Sequence, residues 1–384
     1  MEAANGVDIT QTLAGETVAS VAQAQGISAD EIALYDRQIR LWGVKAQEKL
    51  RTANILLITI KALANEVAKN LVLAGVGSLT IVDHEPVTEN DLCSQFFVSE
   101  ADVGKNRAEA AAPHIRKLNP RVAVLVDTED IRIKQPMYYM PYDIIIATEL
   151  DLDTLLSIND YARLATRPFY AAGTHGFYGY IFADLLLHEY SIEREKSNVP
   201  TELKAETNTR VVVASSTKKE NGKTIEMVTK RERYTPLALA NAAPLPPEYL
   251  NNRRRLRQIP PLLTGIRALW EFQRLQARMP AHTLADLQLF TTLAQEKHNE
   301  LQIPPETLRS DFLRNFLQNL GSEIPPVAAF LGGQLAQDVI NVLGQREQPI
   351  QNLLLFDGED TKAPVYAMHP IIPLEAMMDP TLLV

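Results

Sequence analysis

Apolar positions along this chain fall into short unbroken runs that alternate with stretches of helical spacing. Asn54-Ile-Leu-Leu-Ile-Thr-Ile is a β-branched and leucine run of strand length, the composition of a strand buried on both faces of a parallel sheet. A helix over 63–74 follows after a very short turn and stops at Gly75-Val-Gly. Ser78-Leu-Thr-Ile-Val-Asp is then a second buried strand, which completes a β-α-β unit. The alternation continues with a helix over 105–118 stopped at Asn119-Pro120, strands over 122–127 and 142–147, a helix over 153–166 and a strand over 169–172. Such an order predicts a doubly wound α/β fold.

The flanks are patterned differently. Ser28-Ala-Asp-Glu has the spacing of a capping box, and Ile32, Tyr35, Ile39, Leu41 and Leu50 carry a helical period through 31–50. Residues 1–28 lack sustained periodicity and are expected to be a mobile arm. After Tyr190 come the charged stretches Glu193-Arg-Glu-Lys-Ser-Asn and Lys218-Lys-Glu-Asn-Gly-Lys, then prolines around 244–247 and 260–261, which predict exposed loops. Helical spacing resumes over 262–320, a long helix with Gly332-Gly333 inside it is expected over 327–343, and Asn352-Leu-Leu-Leu-Phe-Asp closes the fold as a strand. The expected division is an arm over 1–28, a first α/β part over 29–192, a loop-rich and helical insertion over 193–320, and a C-terminal part over 321–384 that completes the α/β domain.

Composition narrows the classes. A formal charge of −9 over 384 residues argues against a general nucleic-acid binder, which is ordinarily net basic. Only Asn251-Asn-Arg-Arg-Arg-Leu-Arg departs from this, as a solvated loop or helix start, or as an import or partner patch. One cysteine, Cys93, rules out a disulfide framework and any multi-cysteine zinc site, and fits a reducing compartment. No stretch reaches the roughly 20 apolar residues that span a bilayer, and no leader pattern opens the chain, so a cytosolic or nuclear protein is expected, with no membrane partner.

A phosphate-binding sheet of this order needs glycines in the turn after its first strand, because only they let the backbone approach a phosphate at the next helix's N-terminus. Here the turn is Thr59-Ile-Lys-Ala-Leu-Ala, without glycine. Phosphate binding in that mode is expected to have decayed, so no cofactor-binding or metal residue is assigned to this chain. Lys61 supplies a point charge there or is simply exposed. Asp83, ending the second strand, is either a ribose acceptor or a turn residue. Cys93, with no neighbouring His or basic group in sequence, is expected to be a buried packing thiol rather than a nucleophile.

Four ordered segments add a resemblance. Tyr35-Asp-Arg-Gln-Ile-Arg-Leu-Trp-Gly is similar to the opening string of the ubiquitin-like-modifier activating enzymes. Ala64-Asn-Glu-Val-Ala-Lys-Asn-Leu-Val-Leu-Ala-Gly with Asp83-His-Glu-Pro-Val, Asp102-Val-Gly-Lys-Asn-Arg-Ala-Glu-Ala, and Gly332-Gly-Gln-Leu-Ala-Gln-Asp-Val-Ile with Leu355-Phe-Asp-Gly agree in order and spacing. The likeness runs from about residue 30 to 360, weakest over 195–310, and implies a Rossmann-like doubly wound sheet of the adenylating (ThiF-like) type with a helical insertion.

In that family two homologous halves pair, and one of them holds ATP and Mg²⁺, adenylates the modifier and carries the thioester cysteine. This chain resembles the other half, with SUMO the modifier best matched. Where active halves have a glycine-rich turn, an Asn and Arg pair and a catalytic Asp, it has the Lys61 turn, Asp91, Ser94 and Glu149; both zinc-binding cysteine pairs are also missing. The resemblance therefore implies the catalytic subunit of a SUMO-activating enzyme as partner, SUMO contacted through the complex, ATP and Mg²⁺ in that partner, and a nuclear location with a cytoplasmic pool.

It also assigns Arg37 to the partner's ATP site in trans, where a permanently charged guanidinium forks onto phosphate oxygens. The plain alternative is a surface Arg paired locally with Asp36 or Glu31. Gln38 and Arg40 are candidates to position it, and Lys105 matches a catalytic Lys that has lost its neighbours, a relic or surface residue. Trp42 and the apolar face of the first helix serve an interface or the core, Gly332 and Gly333 allow close helix packing, and His175 is a loop histidine. Competing readings are a homodimeric adenylating enzyme for a sulfur-carrier protein, the equivalent subunit for another modifier, and an NAD-dependent oxidoreductase; the missing glycines count against the first and last.

Overall fold

The architecture comes from a computed structural model that describes residues 28–220 and 222–370. The expected N-terminal arm lies outside the described residues, apart from Ser28. That serine caps α1 (Ala29–Trp42): its Oγ accepts the Glu31 N–H at 3.2 Å while Glu31 Oε2 accepts the Ser28 N–H at 3.1 Å. The single helix expected over 31–50 is in fact two. Gly43 takes φ +85°, a conformation that costs other residues strain, and α2 (Val44–Thr52) starts beyond it. Ile32, Tyr35 and Ile39 face the core as their spacing predicts, whereas Leu41 is 76% exposed.

β1 (Asn54–Ile58), α3 (Ala62–Ala74), β2 (Ser78–Val82), α4 (Arg107–Leu118), β3 (Ala123–Asp127), β4 (Ile144–Thr148), α5 (Leu152–Leu164) and β5 (Phe169–His175) form the doubly wound part. Its strands are all parallel, in the order β3-β2-β1-β4-β5. β5 runs further than expected and turns into an antiparallel partner, β6 (Tyr178–Asp184), which the sequence reading did not anticipate. β10 (Leu353–Asp357) and β11 (Val365–Tyr366) extend the sheet to eight strands beyond β6.

Period-two alternation assigns each strand's side chains to two cores. Ile55 and Leu57 pack under α3, α4 and α9 (Pro325–Gly344), while Leu56 and Ile58 pack on the other face with α5. On that second face lie α6 (Leu262–Gln276), α7 (Leu284–Glu300) and α8 (Ser310–Gln318), which send Phe272, Phe290 and Phe316 into the same core as Leu56 and Ile145. The helical stretch expected over 262–320 thus covers one face of the main sheet.

Residues 193–235 differ most from expectation. In place of exposed loops, β7 (Leu187–Glu195), β8 (Arg210–Glu220) and β9 (Lys223–Arg233) form a second antiparallel sheet in the order β7-β9-β8. Its charged residues satisfy one another across strands: Arg231 Nε donates to Glu189 Oε1 at 2.7 Å and Arg194 Nε to Glu226 Oε2 at 3.0 Å. Among the described residues no helix is long and apolar enough to cross a membrane.

The glycine pair in α9 divides by function. A Cβ on Gly332 would meet Glu66 Cβ at 2.5 Å and the Leu63 carbonyl at 2.9 Å, so α9 rests on α3 through that missing side chain; a Cβ on Gly333 would meet nothing within 4 Å. Close packing therefore holds for Gly332 and not for Gly333. Gly332→Ala is expected to lower stability by about 1–3 kcal/mol through overpacking, while Gly333→Ala should be neutral or raise it by up to about 1 kcal/mol through helix propensity. Urea unfolding of the two variants beside the parent chain checks both, and equal losses would refute the assignment.

Candidate functional site

In a parallel sheet of this order, ligands bind outside the carboxyl ends of the strands where the winding reverses, here between β1 and β4. The backbone around that point keeps the shape of a glycine turn without the glycine. Thr59 has φ +67°, a costly conformation for a β-branched residue, and Glu149, just past β4, has φ +55°. Each is pinned from both sides. Thr59 N–H donates to the Val82 carbonyl at 2.8 Å and its own carbonyl accepts from Thr148 Oγ1 at 2.8 Å, while Glu149 N–H donates to the Ala172 carbonyl at 3.0 Å. Strain of about 1–3 kcal/mol per residue is stored where phosphates would approach.

The groups that would hold a nucleotide are already in use. Asp83 is 3% exposed; its Oδ2 accepts the Ile60 N–H at 3.0 Å and Arg107 Nη1 at 2.8 Å, and its Oδ1 accepts the Glu85 N–H at 3.0 Å. Of its two sequence readings, the turn residue describes its contacts, because three of its roughly four acceptor positions are taken by Ile60, Glu85 and Arg107. Arg107, itself 2% exposed, also reaches Asp91 Oδ2 at 3.4 Å and Glu85 Oε2 at 3.5 Å. Sequence reasoning missed its role, although it sits inside the quoted Asp102–Ala110 string. At the start of α3, where a phosphate would face the helix N-terminus, Glu323 Oε2 accepts the Ala62 N–H at 3.3 Å and Ser94 Oγ at 2.7 Å.

Two cavities flank this junction, of about 170 Å³ and 300 Å³, meeting at Lys61, Glu149, Leu150 and Asp151. Thr59, Asp83, Glu85 and Asp130 line the smaller one, and Tyr180, Trp270 and Glu323 the larger. The ATP that this type of fold implies does not fit the residues present. A side-chain-bearing turn replaces glycine, a carboxylate holds the helix start, and the walls carry Asp and Glu where phosphate charge would have to settle.

The other sequence-singled residues sort by contact. Glu149 Oε1 accepts the Thr174 N–H at 2.9 Å and Thr174 Oγ1 at 2.7 Å, and burial of its carboxyl together with the neighbouring Glu323 pushes its pKa up to about 7. His175 is buried, accepts the Gly321 N–H on Nδ1 at 3.2 Å, and is held neutral by burial, which brings its pKa down to about 4. Lys105 is an exposed partner of Asp102 at 2.9 Å, in keeping with a surface residue. Cys93 corrects the sequence reading: it is exposed rather than a buried packing thiol, because it ends a short 3₁₀ turn whose buried member is Asp91. Among the described residues no cluster of three or more His, Cys, Asp or Glu could hold a metal ion.

Arg37 lies on the opposite kind of surface. It is exposed on α1, one turn from Leu34, which is 58% exposed, and one turn from Leu41. Its expected local partners are engaged elsewhere: Asp36 with Arg40 at 3.0 Å, Glu31 with Ser28 and with Arg51 at 3.4 Å. Arg37 makes no ion pair among the described residues. Gln38 donates to the Leu73 carbonyl at 3.4 Å, and Arg40 is paired with Asp36. Trp42 is partly buried against the α3 core and donates from Nε1 to Gln47 Oε1 at 2.9 Å, which places it with the core rather than an open interface.

Known proteins match this sequence over most of the chain. The family model described as the ThiF family matches residues 35–371. The DNA damage tolerance protein RHC31 of Saccharomyces cerevisiae is 34% identical over 347 residues, covering 90% of this chain and 99% of that protein. SUMO-activating enzyme subunit 1 of Homo sapiens is 34% identical over 349 residues, 90% of this chain and 97% of its own. The DNA damage tolerance protein rad31 of Schizosaccharomyces pombe is 32% identical over 342 residues, with 89% and 98% covered.

Two outcomes follow from the buried charges. Arg107→Met leaves Asp83 and Asp91 without their cation and should cost about 3–5 kcal/mol in chemical denaturation; a loss under about 1 kcal/mol would mean the network carries no weight. Glu149 is the reverse case. Its folded pKa is raised, so its contribution is fully present below the unfolded value and is lost as pH rises through about 7. Glu149→Gln keeps an oxygen acceptor for Thr174 and cannot ionise, so its melting temperature should exceed the parent's at pH 8 by a margin that shrinks as pH falls to 5. A margin independent of pH would contradict a carboxyl forced to ionise in the folded state.

Proposed function

The chain belongs to the ThiF family, and we propose that it is the non-catalytic partner subunit of a SUMO-activating enzyme, required by a catalytic subunit that itself holds ATP and Mg²⁺. Arg37 carries the reading. An exposed guanidinium with no ion-pair partner among the described residues, flanked by exposed leucines, is the arrangement of an interface anchor rather than of a solvated helix face. In the complex Arg37 reaches the phosphates of ATP bound by the catalytic subunit. There, a permanent charge in a fork geometry offsets the negative charge that builds as the adenylyl group moves to the modifier's carboxylate. The cleft of this chain points the same way, since Asp83 is taken by Arg107 and Glu323 by Ser94 and the start of α3.

SUMO is then met through the complex, and this chain supplies shape and one charge. The name of the Homo sapiens relative, SUMO-activating enzyme subunit 1, favours SUMO over another ubiquitin-like modifier, and the chain covers nearly the whole length of each relative. The complex works in the nucleus, with a cytoplasmic pool; the guanidinium groups of Arg253, Arg254 and Arg255 are exposed there for an import receptor.

ATP–pyrophosphate exchange in the presence of SUMO tests the proposal. The chain alone should give none, the chain with a catalytic subunit should give exchange, and Arg37→Ala in that pair should lower it by roughly a hundredfold, with Arg37→Lys between the two. Exchange by the purified chain alone would replace this reading with a homodimeric adenylating enzyme. An unchanged rate for Arg37→Ala would remove Arg37 from the site.

A further inference from the structure

The residues around the start of α3 explain more than the absence of glycine does. A turn without glycine narrows the approach to a helix N-terminus but leaves its N–H groups and partial positive charge in place. In this chain those features face a carboxylate from far along the sequence. Glu323 arrives on the segment between α8 and α9, and its Oε2 takes both the Ala62 N–H at 3.3 Å and the Ser94 hydroxyl at 2.7 Å. Ser94 belongs to the loop after β2, so one carboxylate ties its own segment to the start of α3 and to that loop. Lys61, the residue before α3, lines both cavities and makes no ion pair among the described residues.

We propose that Glu323 is an internal plug: its carboxylate occupies, at the N-terminus of α3 and Ser94, the place of a nucleotide's phosphate, and thereby excludes polyphosphates from a cleft that otherwise retains an anion seat. The plug acts in two ways. It fills the volume at Ala62 and Ser94, and it adds a negative charge beside Glu149, whose pKa is already pushed up by burial and by Glu323 itself. A phosphate entering the cleft would meet that field first. With the glutamate removed, the Ala62 N–H, the Ser94 hydroxyl and the Lys61 ammonium become the lining of an anion site of the kind that helix starts form in this class of sheet.

This deepens the reading of the chain as the half that does not turn over ATP. It is tested by binding rather than by modifier activation, so its failure leaves that reading standing. Inorganic tripolyphosphate serves as probe, titrated by calorimetry against the full chain as wild type, Glu323→Ala, Glu323→Gln and the double variant Glu323→Ala with Lys61→Ala. Wild type should show no saturable binding in the millimolar range. Glu323→Ala should gain at least tenfold in affinity, Glu323→Gln a smaller gain because its amide still fills the seat, and the double variant should return to the wild-type result. Equal binding by wild type and Glu323→Ala overturns the plug, as does a gain that Lys61→Ala does not reverse. If Glu323→Ala fails to fold, Glu323→Gln decides, an affinity unchanged from wild type overturning the proposal.

Discussion

One buried ion pair, Asp83 with Arg107, sets the geometry on which the cleft depends. Asp83 ends β2 and gathers the turn after β1 through Ile60, the turn after itself through Glu85, and the first residue of α4 through Arg107. Arg107 then reaches Asp91 on the loop that also presents Ser94. Both partners are almost fully buried, and such a pair is worth having only when every remaining lone pair and proton is satisfied. Here the Ile60 and Glu85 N–H groups share Asp83 with Arg107, and Arg107 also reaches Asp91, Glu85 and the Pro86 carbonyl. An acidic strand end that could address a ligand becomes a structural post, and the ligand's place is surrendered.

With that post in place, the strain at Thr59 and Glu149 becomes intelligible. Both hold a left-handed backbone that glycine would adopt freely, at the two strand ends that border the cleft. The sheet register holds them: β1 pairs with β2 over its whole length and β4 with β5 up to Thr148, and the next hydrogen bonds, Thr59 to Val82 and Glu149 to Ala172, continue those two ladders. Parallel pairing therefore fixes the turn's shape regardless of what lies in it. Chemistry can be lost from such a turn while its shape persists, because the shape is determined by the strands and the chemistry by side chains.

This separation also explains what the sequence disclosed. Strands such as Ile55–Ile58 are legible because burial on both faces leaves an unbroken apolar run, and α1 is legible through Ser28 and Glu31. The β7–β9 sheet was hidden because its charged residues look solvated one at a time. Arg194, Glu226, Arg231 and Glu189 are neutralised only by the opposite strand, which no local window contains. A signal was nonetheless present: Asn221-Gly222 between two alternating stretches is a hairpin dipeptide, and Gly222 has φ +76°. The parts of the site that escaped reading, Arg107 and Glu323, act on partners that the fold alone brings near, Glu323 across more than 200 positions from Ser94. The missing glycines were visible; what replaces the phosphate was not.

The two kinds of arginine in this chain then divide along one line. Arg107 has three carboxylates around it and is sealed inside; Arg37 pairs with none among the described residues, where Asp36 and Glu31 are bound to Arg40, Arg51 and Ser28. An exposed helix position tolerates an unpaired arginine at little cost in water, so stability alone does not select for keeping Asp36 and Glu31 away from it. The helix could pair its charges internally at every position and would lose nothing in folding. An Arg37 guanidinium without an ion pair among the described residues, between Leu34 and Leu41, fits the proposed binding role, because such a charge gains value only when a second surface removes its water and supplies the anion. A cleft whose strand-end carboxylate is bound to Arg107 and a first helix that presents Arg37 between exposed leucines both fit the proposed subunit, whose chemistry would be completed by its partner.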